Sequence, residues 1–595
     1  MPVIGTAGHV DHGKSTLIFA LTGRDPDRLE EEKRRGLTID LGFSWMNLPG
    51  GGEVSFVDVP GHDRFMKNML AGASGIDVGL LVVAADEGWK PQTEEHLAVL
   101  DLLGVDRAVV ALTKIDRVGP DARDLVVLEI EERLLETRLQ SSPIVSVAAP
   151  TGQGLAELMH ALEKTVEGVK PSTTVEPRLW LDRVFSVAGA GTVVTGTLVE
   201  GLLSVGDDVA LWPTGTRSQV KGIQVHEQAR SSVGAGWRVA VALAGVDRSD
   251  VHRGEMLGSP RDVFPTERFT ASFRPARYEA ALKERGSYHL HLGSAAVATK
   301  LHLLDSEQPH LALLDLEAPL PMRVGDTFIL RDVGRRLVVG GGRVLDPQPP
   351  RSRSAMVGGT IRMAQVLTGS PEAMADSLLE IRGRDSVQVL RAHARGRSPS
   401  TGIEDKGIVL SLQTASKLVG QIREATESYR IRYPLRPGIP IAELATQLEL
   451  TPTLVEKLVP MDPGLSVEGT AVTSGPVADP TADERWDIAE AKLVGAGLLP
   501  LSPSELGLDP ELVAALVRAG NLVRISDGLI YLPQQVDLLV EVLRRCAKSF
   551  TVGEFRDACQ LSRKYAIPLL EWADRQEITR RDGDLRRLIE DSSNR

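Results

Sequence analysis

The stretch Gly8-His9-Val10-Asp11-His12-Gly13-Lys14-Ser15 constrains this chain more than any other. It follows a short apolar run, Val3-Ile4-Gly5-Thr6-Ala7, and opens onto Lys14 to Leu21, which reads as a helix start. Strand, GxxxxGK[ST], helix is a phosphate-binding loop. The glycines let backbone N–H groups curl round a phosphate, and the helix N-terminus adds its positive dipole end. Lys14 has the reach for β- and γ-phosphates, and the Ser15 hydroxyl suits Mg²⁺. Gly8, Asp11, His12, Gly13 and Thr16 complete the expected cradle.

One such loop can arise by chance, but matching features follow it in order. After the charged segment Arg24 to Arg35, Thr38 can supply a hydroxyl that closes onto Mg²⁺ and the γ-phosphate. The β-rich run Val54 to Asp58 leads into Val59-Pro60-Gly61-His62. Asp58 can hold Mg²⁺ through water, and Gly61 can offer its N–H to the γ-phosphate. Val78 to Ala84 and Ala108 to Leu112 read as strands buried on both faces. The second ends in Thr113-Lys114-Ile115-Asp116, where a carboxylate can accept from both N1 and the exocyclic amine of guanine. A last strand, Pro143 to Val147, brings Ser146 and Val147 to where a backbone N–H could meet guanine O6. Strands alternating with helices predict an α/β domain with a doubly wound parallel sheet and its ligand at the carboxyl ends.

These motifs, and Asp58-Val59-Pro60-Gly61-His62 above all, resemble those of the translational GTPases of the elongation factor Tu group. The resemblance implies a GTPase that uses GTP/GDP and Mg²⁺. It implies that His62 positions the attacking water and that Val10 and Leu37 form a hydrophobic gate around it. There are two departures: Thr113 stands where the wider family has Asn, and Val147 where Ala is usual.

At 595 residues the chain is too long for one core. The GTPase should occupy 1–172, with Lys170 to Thr174 as linker. Short alternating strands with glycine turns follow, predicting one β-barrel over 173–262 and a second over 263–348. The run Gly189 to Thr197, VxGxGTVVTGT in context, resembles the second domain of translational GTPases. Pro347 to Arg351 marks a boundary. The tail, 352–595, repeats a pattern of capped helices and Asp-Gly hairpins, which predicts tandem winged-helix (α+β) units. Three are clear, the last over about 535–595, and a weaker one spans about 372–434.

A net charge of −12 leaves nucleic-acid binding to local patches. The last unit carries one: Arg563 and Lys564 at its second helix, with Arg580 and Arg581 on its hairpin, where phosphates would lie. The two cysteines, Cys546 and Cys559, have no metal-binding spacing and fit a reducing cytoplasm. No apolar run suits a bilayer.

Taken whole, GTPase, two barrels and winged helices closely resemble the bacterial selenocysteine-specific elongation factors, the SelB family. The likeness includes the TKxD variant and Leu561 to Trp572. It implies a cytoplasmic monomer that carries selenocysteyl-tRNA to the ribosome at in-frame UGA codons while its last winged helix grips a messenger-RNA hairpin. It also implies an aminoacyl pocket on the first barrel. A selenol ionises near neutral pH and a serine hydroxyl does not, so Asp182, Arg183 and Arg238 are the expected pocket residues. Two rival readings are another translational-type GTPase sharing the first three domains, against which the winged-helix tail argues, and a DNA-binding regulator with the GTPase as a sensor.

Overall fold

The computed structural model describes every residue except 27–40, 51, 61–68, 70–74, 170–175, 262, 279–285, 305–309, 527 and 590–595. The chain forms two compact units, Met1–Leu412 and Gln413–Arg595.

The first unit begins with a six-stranded sheet. Its order is Gly42–Asn47, Glu53–Asp58, Val3–Ala7, Val78–Ala84, Ala108–Thr113, Ile144–Ser146, all parallel except the first. Val78–Ala84 and Ala108–Thr113 are buried at every residue, as central strands covered by helices on both faces must be. All loops at the carboxyl ends therefore gather on one edge, where the phosphate-binding loop also sits.

The next strands close into a barrel through Arg178–Val187, Gly191–Glu200, Trp237–Leu243, Thr216–Val225, Asp208–Trp212 and Met256–Gly258. A second closed barrel follows, from Pro265–Pro275 to Val338–Asp346. Trp180 and Met256 of the first barrel enter the apolar cluster of the second, so the two barrels share part of a core. The second barrel also meets the GTPase domain, where Ile329 and Val338 pack with Ala98, Val99 and Leu102 of the helix Pro91–Leu103.

A winged-helix unit completes the first body. Helices Arg353–Val366, Pro371–Arg382 and Val387–His393 precede a three-stranded sheet that ends at Leu410. The expected limits of 372–434 are therefore corrected. The unit starts one helix earlier, and the long helix Leu412–Arg432 falls in the second body. Its apolar side is covered by the barrel: Met356, Met363 and Leu378 cluster with Leu313, Val324 and Leu345. Arg382 pairs with Asp346 (2.6 Å) across the same boundary and with Asp385 (2.7 Å) within its own unit.

In the second unit the helix–turn–helix–hairpin pattern recurs three times, with sheets closing at Ala471–Thr473, Leu529–Tyr531 and Leu585–Leu588. Thr451 and Asp509 cap their helices by accepting backbone N–H groups. Thr551 and Glu554 form a reciprocal capping box, with Thr551 N–H donating to Glu554 Oε2 at 2.7 Å. The final helix, Arg563–Arg575, runs through Pro568 without a break. Among the described residues, no helix is long and apolar enough to cross a membrane.

Candidate functional site

Each residue of the phosphate-binding loop is fixed by a neighbour that follows from the sheet order. Gly8 has φ +137°, and a Cβ there would lie 2.2 Å from the Val82 carbonyl oxygen, so only glycine fits. Its N–H donates to Nδ1 of His96 at 2.9 Å. That bond requires the neutral tautomer protonated at Nε2. Burial, then the charge of Lys14, lowers the His96 pKa to about 3, and burial lowers that of His12 to about 4. Both rings are thus neutral at physiological pH, leaving Lys14 as the loop's cation. Lys14 is buried, and its Nζ donates to the carbonyls of Gly8 (3.1 Å) and His9 (2.7 Å). Gly13 is left-handed at the helix N-cap, Asp11 has φ +64° on the exposed face, and Thr16 is exposed. Val10 is held by its N–H, which donates to Gln92 Oε1 at 3.1 Å.

Asp58 ends the neighbouring strand, fully buried. Its Oδ2 accepts from Ser15 Oγ at 2.7 Å and its Oδ1 from Thr6 Oγ1 at 2.6 Å. A hydroxyl and a carboxylate side by side at the loop form a hard oxygen donor set of the kind Mg²⁺ takes. Leu37, Thr38, Gly61 and His62 lie outside the described residues.

The base-recognition segment is tied to the same loop. Thr113 Oγ1 donates to the His12 carbonyl at 2.7 Å, so the threonine that replaces the family's asparagine keeps a bond to the phosphate loop. Lys114, at φ +55°, pairs with Glu87 (3.1 Å) and Asp86 (3.5 Å). Asp116 stands exposed in the short turn Ile115–Arg117. The expected O6 contact is corrected. Ser146 ends its strand, but Val147 is fully buried with its N–H given to the Leu112 carbonyl (2.7 Å). The Ala148 N–H goes to Gln153 O (2.9 Å), which moves the first candidate donor to partly exposed Ala149.

The three pocket residues predicted on the first barrel come together. Arg183 lies opposite Thr195 and Arg238 opposite Thr197, on either side of the strand Gly191–Glu200. A register shift between Leu181 and Arg183 makes Asp182 a bulge, which lets two consecutive residues serve one site. Arg238 donates to both oxygens of buried Asp182 (3.1 and 2.9 Å) and to Thr195 Oγ1 (3.1 Å). Its guanidinium lies 3.7 Å from the ring centre of Phe43, on the GTPase edge strand, and Arg183 donates to the Leu41 carbonyl at 3.1 Å. Phe43, Thr195 and Arg238 line a cleft of about 250 Å³ between the domains. Sequence reasoning missed Phe43, Thr6 and His96. It also gave Thr195 no role; Thr6 and Thr195 carried a signal only as members of the quoted Val3–Ala7 and VVTGT runs.

In the last winged helix Arg563 and Lys564 are exposed at the helix start, with Lys564 Nζ 5.4 Å from the Tyr565 ring centre. Arg580 pairs across the hairpin with Arg587 and Arg581 with Arg586, so Arg580 and Arg581 point to opposite faces of the wing. Arg586 is buried and donates to Asp574 at 3.0 Å, a structural role. Arg586→Ala is expected to destabilise this unit by about 1–3 kcal/mol, because it takes the charged partner from partly buried Asp574, which among the described residues keeps only its bond from Thr579 Oγ1 (2.7 Å). Faster amide exchange over 549–588 in the full-length protein would show it, and unchanged protection would refute it.

Family models match along the chain. "Elongation factor Tu GTP binding domain" covers residues 1–168 and "Elongation factor Tu domain 2" covers 191–258. "Selenocysteine-specific elongation factor, beta-barrel domain" covers 267–351, and "Elongation factor SelB, winged helix" covers 541–588. The selenocysteine-specific elongation factor of Desulfomicrobium baculatum is 36% identical over 99% of this chain and 100% of its own. That of Escherichia coli K12 is 32% identical over 98% of each. The crystal structure of a bacterial selenocysteine-specific elongation factor, EF-Sec, matches 99% of this chain and 100% of that one, with a TM-score of 0.76 at 28% identity. SelB from Methanococcus maripaludis bound to a GTP analogue covers 59% of this chain and 80% of its own, with a TM-score of 0.53. Fold and site together define a translational GTPase that binds guanine nucleotide. Within that class, the chain belongs to the selenocysteine-specific elongation factor family.

Proposed function

We propose that this chain binds selenocysteyl-tRNA in its GTP form, delivers it to the ribosome at in-frame UGA codons, and releases it on hydrolysis. The observation that carries this reading is the joint presence of a guanine-nucleotide site, a two-arginine cluster on the first barrel against the GTPase domain, and a basic winged helix in the last part of the sequence. Domain limits of 1–172, 173–262, 263–348 and 352–595 fit this division of labour. In the nucleotide site Gly8, Asp11, His12, Gly13, Lys14, Ser15 and Thr16 cradle phosphates, Asp116 reads guanine with Thr113 and Lys114 shaping its loop, and Gly61 approaches the γ-phosphate. Ser15, Thr38 and Asp58 would hold Mg²⁺, which when bound neutralises phosphate charge. His62 orients the water, with Val10 and Leu37 restraining it. The protein acts as a monomer, since every part of this apparatus lies on one chain.

The RNA end is tested by replacing Arg563, Lys564 and Arg581 with Ala in the full-length protein. Affinity for the messenger-RNA hairpin is expected to fall about tenfold or more, with a shallower dependence on salt, because each lost phosphate contact releases fewer counterions. GTP binding is expected to stay at the parental level. Undiminished hairpin affinity would mean that this basic face is only solvated.

A further inference from the structure

The amino-terminal edge of the GTPase sheet carries a concentration of positive charge that the nucleotide and aminoacyl sites do not use. Arg343 lies opposite Ser272 in the second barrel, and Arg274, two residues on, lies opposite Gly341. Opposed and alternate residues share a face, so Arg274 and Arg343 are diagonal neighbours on the outside of the barrel. That face meets the end of the helix Pro91–Leu103. Arg274 donates to the Asp101 carbonyl (2.8 Å) and pairs with its carboxylate (3.0 Å). Arg138 reaches the same carboxylate at 3.9 Å. Arg343 comes so close to Gly104 that a Cβ there would lie 3.2 Å from its guanidinium. Arg395, on the first winged helix, approaches Gly325 in the same way.

The charges do not balance. Among the described residues, the ion pairs of Arg138, Arg274, Arg343 and Arg395 come to Asp101 alone. The side chains of Arg343 and Arg395 have no hydrogen-bond or ion-pair partner there, and Nε of Arg395 is buried without one. The helix C-terminus adds roughly half a negative charge and no more. An adjoining buried set is already self-neutral, with Arg178 bound to Asp326 by two 2.7 Å bonds and Arg323 to Glu200. Burial and the like charges of Arg138, Arg395 and Arg274 lower the Arg343 pKa, which is the electrostatic mark of crowding. Burying guanidinium donors without acceptors costs free energy that an anion with several oxygens would return. Arg138 also lines a neighbouring cleft of about 230 Å³ with Arg107, Lys164, Ser141 and Ser142, where among the described residues three cations outnumber the one acid, Asp106.

We infer that this junction of GTPase domain, second barrel and first winged helix, built on Arg138, Arg274, Arg343 and Arg395, is a phosphate-binding surface for ribosomal RNA. Phosphodiesters fit because planar guanidinium groups bind phosphate oxygens in pairs, and because several cations gather at one junction. The position favours ribosomal RNA over the carried tRNA. Arg107 and Pro143 directly precede the strands Ala108–Thr113 and Ile144–Ser146, at the edge opposite the nucleotide. Leu41 and Phe43 of the aminoacyl cluster lie at the nucleotide edge, beside Asp58. A six-residue strand separates the two edges by about 20 Å.

The inference rests on the reading of this chain as a factor that works on the ribosome. The test uses the full-length protein with a GTP analogue, Arg343→Gln/Arg395→Gln against the parent, with purified ribosomes and, separately, selenocysteyl-tRNA. The double variant is expected to bind ribosomes about tenfold more weakly, with a slope of log affinity on log salt shallower by one to two. Its affinity for selenocysteyl-tRNA should match the parent's. Its melting temperature without RNA should equal or exceed the parent's, because the substitutions relieve repulsion. Arg343→Lys should keep most of the ribosome affinity. Parental ribosome affinity and slope in the double variant would overturn the inference, and so would a lower melting temperature or a parallel loss of tRNA affinity. A parent protein that bound no ribosomes would instead refute the functional reading beneath it.

Discussion

Asp116→Asn is expected to cut GTP affinity by on the order of a hundredfold to ten-thousandfold and to shift preference toward xanthosine triphosphate. Guanine offers two donors to a carboxylate, and a hydrogen bond to a charged group is worth about 1.5–3 kcal/mol. Each 1.4 kcal/mol is about tenfold. Xanthine carries a carbonyl where guanine has its amine, so an amide side chain matches it better. The surroundings make the experiment clean. Asp116 is exposed and, among the described residues, holds no side-chain bond that the substitution would break. The segment is anchored instead by Thr113 on the His12 carbonyl and by the Leu112 carbonyl on Val147 N–H. The melting temperature of the nucleotide-free protein should therefore stay within a degree or so of the parent's, typical of a surface substitution. Equilibrium titration with fluorescent GTP and xanthosine nucleotides measures the shift. A variant that bound GTP like the parent would show that Asp116 does not read the base.

The GTPase core was legible because burial on both faces writes a continuous apolar run, as in Val78 to Ala84. The phosphate loop was legible because its glycines answer local backbone demands. Gly8 has no room for a side chain against Val82, whatever lies elsewhere in the chain. Other features depend on register or on distant partners, which a linear pattern does not carry. Val147 was misassigned because the exit from its strand is phased by a bond to Leu112, thirty-five residues earlier in sequence, and not by the small residues around it. The first winged helix was misbounded for a related reason. Its apolar residues cover a barrel, so its own sequence lacks the closed pattern of an independent core, and the amphipathic helix from Leu412 looked like its continuation. Phe43 gave no warning, because its contact with Arg238 spans two domains. Asp182 and Arg183 were chosen for their charge. The bulge that lets Asp182 hold Arg238 while Arg183 reaches the Leu41 carbonyl is a property of the pairing with Gly191–Glu200.

On the proposed reading of this cluster as the aminoacyl pocket, that bulge sets the terms for the discrimination of selenium from oxygen. Arg183→Ala is expected to lower the affinity of the GTP form for selenocysteyl-tRNA by about ten- to a hundredfold, while its affinity for seryl-tRNA changes little. The two aminoacyl groups differ by one atom, and a pocket cannot easily exclude the smaller one. Charge separates them, because the selenol is ionised near neutral pH and the hydroxyl is not. A charge-assisted contact contributes about 1.5–3 kcal/mol, and two arginines acting additively would reach on the order of a thousandfold. Additivity is not expected here. Arg238 already donates to both oxygens of Asp182, a carboxylate only 8% exposed, so Arg238→Ala removes a cation and also leaves that carboxylate buried with only its bond from Thr195 Oγ1 (2.6 Å) among the described residues. The lone Asp182 would repel a selenolate and weaken the barrel, making this variant the more damaging of the two and less specific in its effect. Arg238→Ala combined with Asp182→Asn separates the two contributions: it should recover stability without recovering selenium selectivity. Filter binding of both aminoacyl-tRNAs to each variant, with GTP and then GDP, supplies the comparison. If Arg183→Ala weakens both tRNAs by the same factor, the arginine holds the tRNA or the domain junction and takes no part in reading the amino acid.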